Sequence, residues 1–151
     1  MLTTEQLATL KAAIIADTNQ EVVAALAIRN DTELARLYNL PTTSVLWRSS
    51  VTKDEIMQNG FSWELVDNLT VGKARIWDWL FDNSAKVINP QKSNVRAGID
   101  ECWKGTAAML AQRAVVYTHC KRFASKAEAL FFLSGAGTDA DPALPGFEGQ
   151  V

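Results

Sequence analysis

Apolar residues recur at helical spacing through most of the chain. Over residues 4–16, Leu7, Leu10 and Ile14 follow one another at intervals of three and four, which predicts one helix with a single apolar stripe. Three candidate capping boxes mark helix starts, at Thr3 with Gln6, Thr52 with Glu55 and Ser125 with Glu128. Further helices are predicted at about 20–28, 32–38, 52–59, 71–81, 90–103, 106–122 and 125–133, and Ser62 is predicted to cap a helical turn or two through Val66.

Two segments depart from this helical pattern. Residues 42–51, TTSVLWRSSV, are rich in β-branched and hydroxyl side chains, which indicates either a short strand or an extended connector. From residue 135 onward the chain holds four glycines and two prolines and has no period of either kind. The pattern therefore predicts an all-α protein, an irregular bundle of about six to eight helices. Residues 1–134 would form the helical domain, and 135–151 an extended or flexible C-terminal arm.

The predicted helix over VGKARIWDWLF, residues 71–81, carries more apolar surface than one side of a helix needs. Trp77 and Phe81 share one face at 100° per residue, while Trp79 lies near the far side. A helix that is apolar nearly all round must be covered nearly all round. Either the chain's own core covers these three aromatic residues, with Trp79 under the loop before Pro90, or a second subunit contacts them.

Two other segments are candidate contact surfaces. Leu144 and Phe147 are apolar residues of the C-terminal arm; the arm is either disordered or docked on a neighbouring subunit, with Phe147 as an anchor. The one basic cluster follows the end of the long helix and comprises Arg113, Lys121, Arg122 and Lys126. It is either a solvated face or a contact with DNA phosphates or an acidic partner.

The residues offer no catalytic, cofactor or metal site. Gly72-Lys73 lacks the first glycine and the final Ser or Thr of a phosphate loop. The single histidine, His119, and its neighbour Cys120 point about 100° apart on a helix, and zinc requires four ligands. The two adjacent acidic pairs, Asp54-Glu55 and Asp100-Glu101, have no histidine near them. We therefore expect a protein that is not an enzyme and binds no cofactor.

Composition narrows the class of protein further. The chain has 151 residues, a net charge of −2 and two cysteines, so it fits one ordinary domain without a disulfide framework. The charge provides no general attraction to nucleic acid. No apolar run approaches the length of a membrane span, and no signal peptide opens the sequence. We expect a soluble protein with free thiols and no membrane partner.

Several runs of residues resemble a known group of proteins. They are VLWRSSV, EIMQNGFSW, VDNLTVGKARIWDWLF and INPQKSNVRAGID, the W-x-G at residues 103–105, and the later HCKR, SKAEALF, SGAGTDADPA and GFEG. Together they resemble small proteins encoded in the structural-gene region of tailed bacteriophages. The resemblance implies a role in virion structure or assembly rather than in metabolism.

A mostly helical body with a C-terminal arm also resembles the head-to-tail adaptor class of phage proteins, which form rings beneath the portal. The resemblance implies a ring-like homo-oligomer in the neck of the virion, assembled in the host cytoplasm. Its partners would be portal or tail proteins, with non-specific contact to packaged DNA through the basic cluster. Alternatives are a capsid-associated minor protein, a tail component, or a phage-encoded regulator that binds nucleic acid or a host protein.

Overall fold

The computed structural model describes all residues from Met1 to Val151 and contains both helices and strands. The helices are α1 (Thr4–Ala16), α2 (Gln20–Ala27), α3 (Asp31–Tyr38), α4 (Lys53–Gln58), α5 (Trp63–Asp67), α6 (Val71–Leu80), α7 (Ser93–Cys102) and α8 (Ala107–His119). The strands are β1 (Pro41–Trp47), β2 (Val51–Thr52), β3 (Val87–Ile88), β4 (Lys121–Ser125), β5 (Phe132–Ser134) and β6 (Leu144–Pro145), and a 3-10 helix covers Glu128–Phe131.

The prediction of an all-α protein is therefore wrong. The chain is 51% helical, but 15% of it is strand, arranged in three small antiparallel sheets. The sheets pair β1 with β4, β2 with β3, and β5 with β6. Four of the six strands have three residues or fewer, too few for alternation to be visible in the sequence. Pairing with a distant segment, rather than local propensity, keeps these residues extended.

The chain also divides differently from the predicted helical domain and C-terminal arm. Unit 1 comprises Met1–Leu46 together with Phe123–Val151, and unit 2 comprises the intervening Trp47–Arg122. Residues 135–151 belong to unit 1 because they bury side chains there, among them Ala143 at 0% exposure. The segment lacks periodicity because it packs through single residues rather than through a regular element.

In unit 1, the first three helices begin at the residues that their caps predict. The Thr3 hydroxyl accepts a hydrogen bond from the Gln6 N–H, and the Gln6 side chain accepts one from the Thr3 N–H. The side chains of Asn19 and Asn30 cap α2 and α3 by accepting from the N–H groups of Glu21 and Glu33, without the reciprocal bond. The core between these helices consists of Leu10, Val22, Ala25, Leu34, Leu37, Tyr38 and Ala127.

The remaining part of unit 1 is arranged around β1. Leu46 pairs with Ala143 in a parallel bridge, and the Val45 N–H donates to the Gly137 carbonyl at 2.8 Å. The chain can turn into this position because Gly135 adopts a positive φ of 85°. A Cβ atom there would lie 2.6 Å from the Pro142 carbonyl oxygen, so we expect no other residue to fit.

In unit 2, α4 to α8 surround a core of mainly aromatic and aliphatic side chains. The Thr52–Glu55 capping box starts α4, and Thr70 caps α6. The core consists of Val51, Ile56, Phe61, Trp77, Phe81, Ile88, Ile99, Cys102, Trp103, Val116 and Cys120. No helix of the protein is at once long enough and apolar enough to cross a bilayer.

Three helix boundaries near the C-terminal half differ from prediction. Asn89 does not cap a helix beginning at Pro90, because its side chain accepts from the Gln91 N–H in a local turn and α7 begins at Ser93. The helix predicted to reach 122 ends at His119, where β4 follows. Ser125 and Glu128 exchange the predicted reciprocal hydrogen bonds, but they precede a 3-10 turn and β5 rather than a helix to 133.

Candidate subunit-contact surfaces

Two of the three aromatic residues predicted to contact another subunit are buried in their own core. Trp77 is 2% and Phe81 is 1% exposed. The Trp77 ring lies 5.0 Å from the Phe81 ring and 5.2 Å from the Trp103 ring, both edge to face. These two residues therefore cannot reach a partner chain. Phe61 and Trp103 provide the cover that the sequence left undecided.

Trp79, the third residue, remains 65% exposed, so the loop before Pro90 does not cover it. Val71, at the start of the same helix, is 75% exposed, and Arg75 between them lies with its guanidinium 5.9 Å from the Trp79 ring. Intervals of four residues place the three side chains along one side of α6. We call Val71, Arg75 and Trp79 the α6 stripe.

A surface cavity of about 540 Å³ adjoins the α6 stripe at Trp79. Its other walls are mainly charged, with Lys53, Asp78 and Lys86 among them. Lys53 forms an ion pair of 3.3 Å with Asp78, and its ammonium lies 5.7 Å from the Phe81 ring. The exposed indole is therefore bordered by paired charges, an arrangement typical of the polar rim around an interface anchor.

The two residues predicted as contacts from the C-terminal arm lie within unit 1. Leu144 is half-buried in β6, where it pairs with Ser134 of β5. Phe147 is 7% exposed and packs edge to face on Phe131 at 6.2 Å. In the single chain, Leu144 and Phe147 therefore pack against other residues of unit 1.

Polar contacts tie the same segment down along its length. The Gln6 side chain donates to the Gly146 carbonyl at 2.9 Å. The Gly149 N–H donates to the Glu128 carboxylate at 3.2 Å. Asn39 exchanges two hydrogen bonds of 3.0 Å with the backbone of Val151. These contacts join residues 146–151 to three separate places in unit 1, so the segment is an integral part of that unit.

The predicted basic cluster does not form one uniform surface. Arg113 makes a 3.5 Å ion pair with Asp100. Lys121 is half-buried, with its ammonium 5.8 Å from the Trp47 ring, and Arg122 is half-buried beside it in the chain. Lys126 belongs to unit 1, whereas the other three belong to unit 2. Arg113 thus has a carboxylate partner, and so does Lys126, whose contact is described next.

Lys126 takes part in a compact polar cluster with Asp17 and Tyr38. Its ammonium binds the Asp17 carboxylate and lies 4.8 Å from the Tyr38 ring, and the Tyr38 hydroxyl donates to the same carboxylate at 2.8 Å. The hydrogen bond from Lys126 lowers the pKa of Asp17. Burial and the neighbouring carboxylate raise the pKa of Tyr38. The sequence predicted only a helix break at Asp17.

A second exposed apolar surface, which the sequence analysis missed, lies on the first helices of unit 1. A groove of about 430 Å³ is lined by α1, α2 and α3, with Leu7, Lys11, Ile14, Ile15, Leu26 and Asp31 among its walls. Leu7 is 53% and Ile15 is 62% exposed. Ile15 was the feature of the sequence that could have indicated this surface. It makes the apolar face of α1 wider than the stripe that packs into the core of unit 1. We call this surface the α1 groove.

The nucleophilic and phosphate-binding candidates have ordinary structural surroundings. Burial raises the pKa of the Cys102 and Cys120 thiols to about 12 in each case, which keeps both protonated and unreactive at neutral pH. Lys73 donates to the Lys104 carbonyl at 3.0 Å, so it is engaged with the backbone. No group of three or more His, Cys, Asp or Glu side chains is arranged to hold a metal ion.

Comparison with protein families, with curated proteins and with solved structures found no match for this chain.

Proposed function

We propose that this chain is a structural protein of a tailed-bacteriophage virion that acts by forming a ring-like homo-oligomer in the neck, as a head-to-tail adaptor. The sequence runs between Val45 and Gly149 that resemble phage structural-region proteins support the phage origin. Portal or tail proteins would be its partners, and the virion, assembled in the host cytoplasm, would be its location.

The observation that carries the proposal is the α6 stripe. Trp79 and Val71 are 65% and 75% exposed on a helix whose other large aromatic residue, Trp77, is buried. Single exposed apolar residues are common, but tryptophan is among the residues most enriched at the energetic centres of interfaces. Arg75 alongside it adds a second residue type of that kind. The stripe therefore suits a surface that becomes covered on assembly.

A ring closes by repeating one heterologous contact, in which two different patches of each subunit meet. In this proposal the α6 stripe is one of those two patches. The paired charges around Trp79 would form the rim of the contact, where they contribute specificity more than affinity. Non-specific contact with packaged DNA would involve the basic cluster, in which Arg113 and Lys126 also pair with carboxylates.

The test begins with purified virions of the phage that encodes the chain. Mass spectrometry with labelled reference peptides should find the protein in the particle at a fixed copy number that matches one ring. In complementation, Trp79→Ala should leave filled heads that fail to join tails. Leu110→Ala, which truncates another exposed apolar side chain of unit 2, serves as the matched control and should complement normally.

Each alternative has its own outcome in this test. Absence of the protein from virions would refute any structural role. Copy numbers in the hundreds, or recovery with isolated tails, would place it in the capsid or the tail instead of the neck. A monomer that binds DNA with steep salt dependence and is missing from virions would identify a regulator.

A further inference from the structure

The α1 groove is an apolar surface that the protein's own fold leaves uncovered. Leu7 and Ile15 lie eight residues apart on α1 and line the groove together with Ile14 and Leu26. The first two stay more than half exposed, although nearby Leu10 is buried in the core of unit 1. Apolar side chains that wall a concave surface are typical of a docking site.

Two charged residues of opposite sign also line the groove. Lys11 comes from α1, and Asp31 is the first residue of α3. Neither makes an ion pair or a side-chain hydrogen bond within the chain. The groove thus presents one positive and one negative charge at its wall, on different helices and without partners.

We propose that the α1 groove binds a second copy of this chain, in a two-fold symmetric dimer that pairs Lys11 of each copy with Asp31 of the other. A two-fold contact brings the same patch of both subunits together. A contact between one residue of the first copy and a different residue of the second copy therefore occurs twice. A patch with a single lysine and a single aspartate on separate helices is complementary to itself under that symmetry. The two ion pairs fix the register, while Leu7, Ile14 and Ile15 supply the apolar contact.

The size of the groove sets the strength of the dimer. Stable complexes bury about 800 Å² and involve about 20 to 30 residues on each partner, whereas eight residues line the groove. The dimer should therefore dissociate between about 10 μM and about 1 mM. This contact is independent of the proposed virion role, because it belongs to the free protein in solution.

Sedimentation equilibrium over that concentration range tests the dimer. The wild-type chain should show a concentration-dependent monomer–dimer equilibrium. Ile15→Lys, which places a charge in the groove at the favourable end of the helix dipole, should give a monomer throughout. Lys11→Glu and Asp31→Lys should each raise the dissociation constant at least tenfold. The double variant Lys11→Glu/Asp31→Lys should return it to within threefold of wild type.

Matched controls separate loss of docking from loss of folding. Leu133→Lys places the same charge on an apolar residue that is 75% exposed and lies outside both the groove and the α6 stripe, and it should leave the equilibrium unchanged. Circular dichroism melts of the variants should stay within about 5 °C of wild type, with the variants that carry Asp31→Lys the lowest, because that change places a positive charge at the start of α3. A wild-type chain that stays monomeric at the highest concentration overturns the proposal. So does a dimer that Ile15→Lys leaves intact, or a double variant as weak as the single ones.

Discussion

At the scale of single residues, Asp17 is a carboxylate held by three hydrogen-bond donors. It receives hydrogen bonds from the Lys126 ammonium, the Tyr38 hydroxyl and the Asn19 N–H, and its side chain is 11% exposed. The contact with Lys126 is the main cause of its lowered pKa, against the raising effect of burial. A carboxyl group whose pKa is lower in the folded state stabilises the fold when it is ionised.

The contribution of Asp17 to the free energy of unfolding depends on pH. The stabilisation from Asp17 is complete above the ordinary carboxyl pKa of 3.8 and is lost as the pH falls through its lower folded value. Asp17→Asn should therefore reduce the free energy of unfolding by about 2 kcal/mol at pH 7, the value of a charged hydrogen bond. The difference between variant and wild type should shrink below pH 4 in urea titrations.

Asp31→Asn is the matched control for that measurement, because Asp31 is an exposed carboxylate at a helix start without an ion pair. It should change the free energy of unfolding by less than about 1 kcal/mol, mainly through the helix dipole. An Asp17→Asn variant whose deficit stays constant from pH 7 to pH 3 would show that lost packing, rather than lost charge, is responsible.

Residue spacing indicated on which side of α6 each of its two tryptophans lies. The 100° step placed Trp77 and Trp79 on different sides of one helix, and the structure buries the first and exposes the second. Spacing could not say what would cover Trp77. Phe61 and Trp103, which do so, are 16 and 26 residues away in the chain, so their approach depends on the whole of unit 2.

At the scale of elements, α5 shows how a helix too short to be stable alone is held in place. It has five residues, and Ser62 at its start makes no side-chain cap. Instead, the Gln112 side chain, which is 2% exposed, accepts from the Ser62 N–H at 3.0 Å and donates to the Ser62 carbonyl at 3.4 Å. One amide of α8 thus satisfies both backbone groups where α5 begins.

Gln112→Met keeps the length of the side chain but removes this amide. Two half-buried backbone groups would lose their hydrogen bonds to Gln112, which should cost about 1–3 kcal/mol in the free energy of unfolding. Chemical denaturation followed by tryptophan fluorescence measures the change, and Gln58→Met, at an exposed position, is the control. A loss no larger than that of the control would mean that water replaces the amide at Ser62.

The same scale shows why helices were predictable and strands were not. Thr3, Thr52 and Thr70 all cap the helices that their side chains predicted, since a cap is decided within three residues. By contrast, β2 owes its conformation to Val87 and Ile88, more than thirty residues away. Residues 121 and 122 were predicted to end one helix and residue 125 to begin the next, yet Lys121–Ser125 pairs with β1 as β4. Partners at that separation leave no local signal.

At the scale of the whole molecule, the two units have separate cores and separate spectroscopic signals. All five tryptophans, at positions 47, 63, 77, 79 and 103, lie in unit 2. Tryptophan emission therefore reports on unit 2, whereas far-UV circular dichroism also reports on α1, α2 and α3 of unit 1. The sequence suggested a single helical domain because it cannot show that residues 123–151 return to pack with residues 1–46.

Phe147→Ala tests whether this returning segment is a structural part of unit 1. Phe147 is 7% exposed and packs on Phe131, and truncating a buried phenylalanine costs about 3 kcal/mol or more. In urea, the midpoint followed by circular dichroism should fall, while the midpoint followed by tryptophan emission should move less. Non-coincident transitions of this kind mark two cooperative units.

Equal shifts of both midpoints would show that the units unfold as one, and no shift would mean that residues 135–151 add nothing to the fold. Leu133→Ala, which truncates a side chain that is 75% exposed in the same unit, supplies the baseline, because its loss of buried area is small.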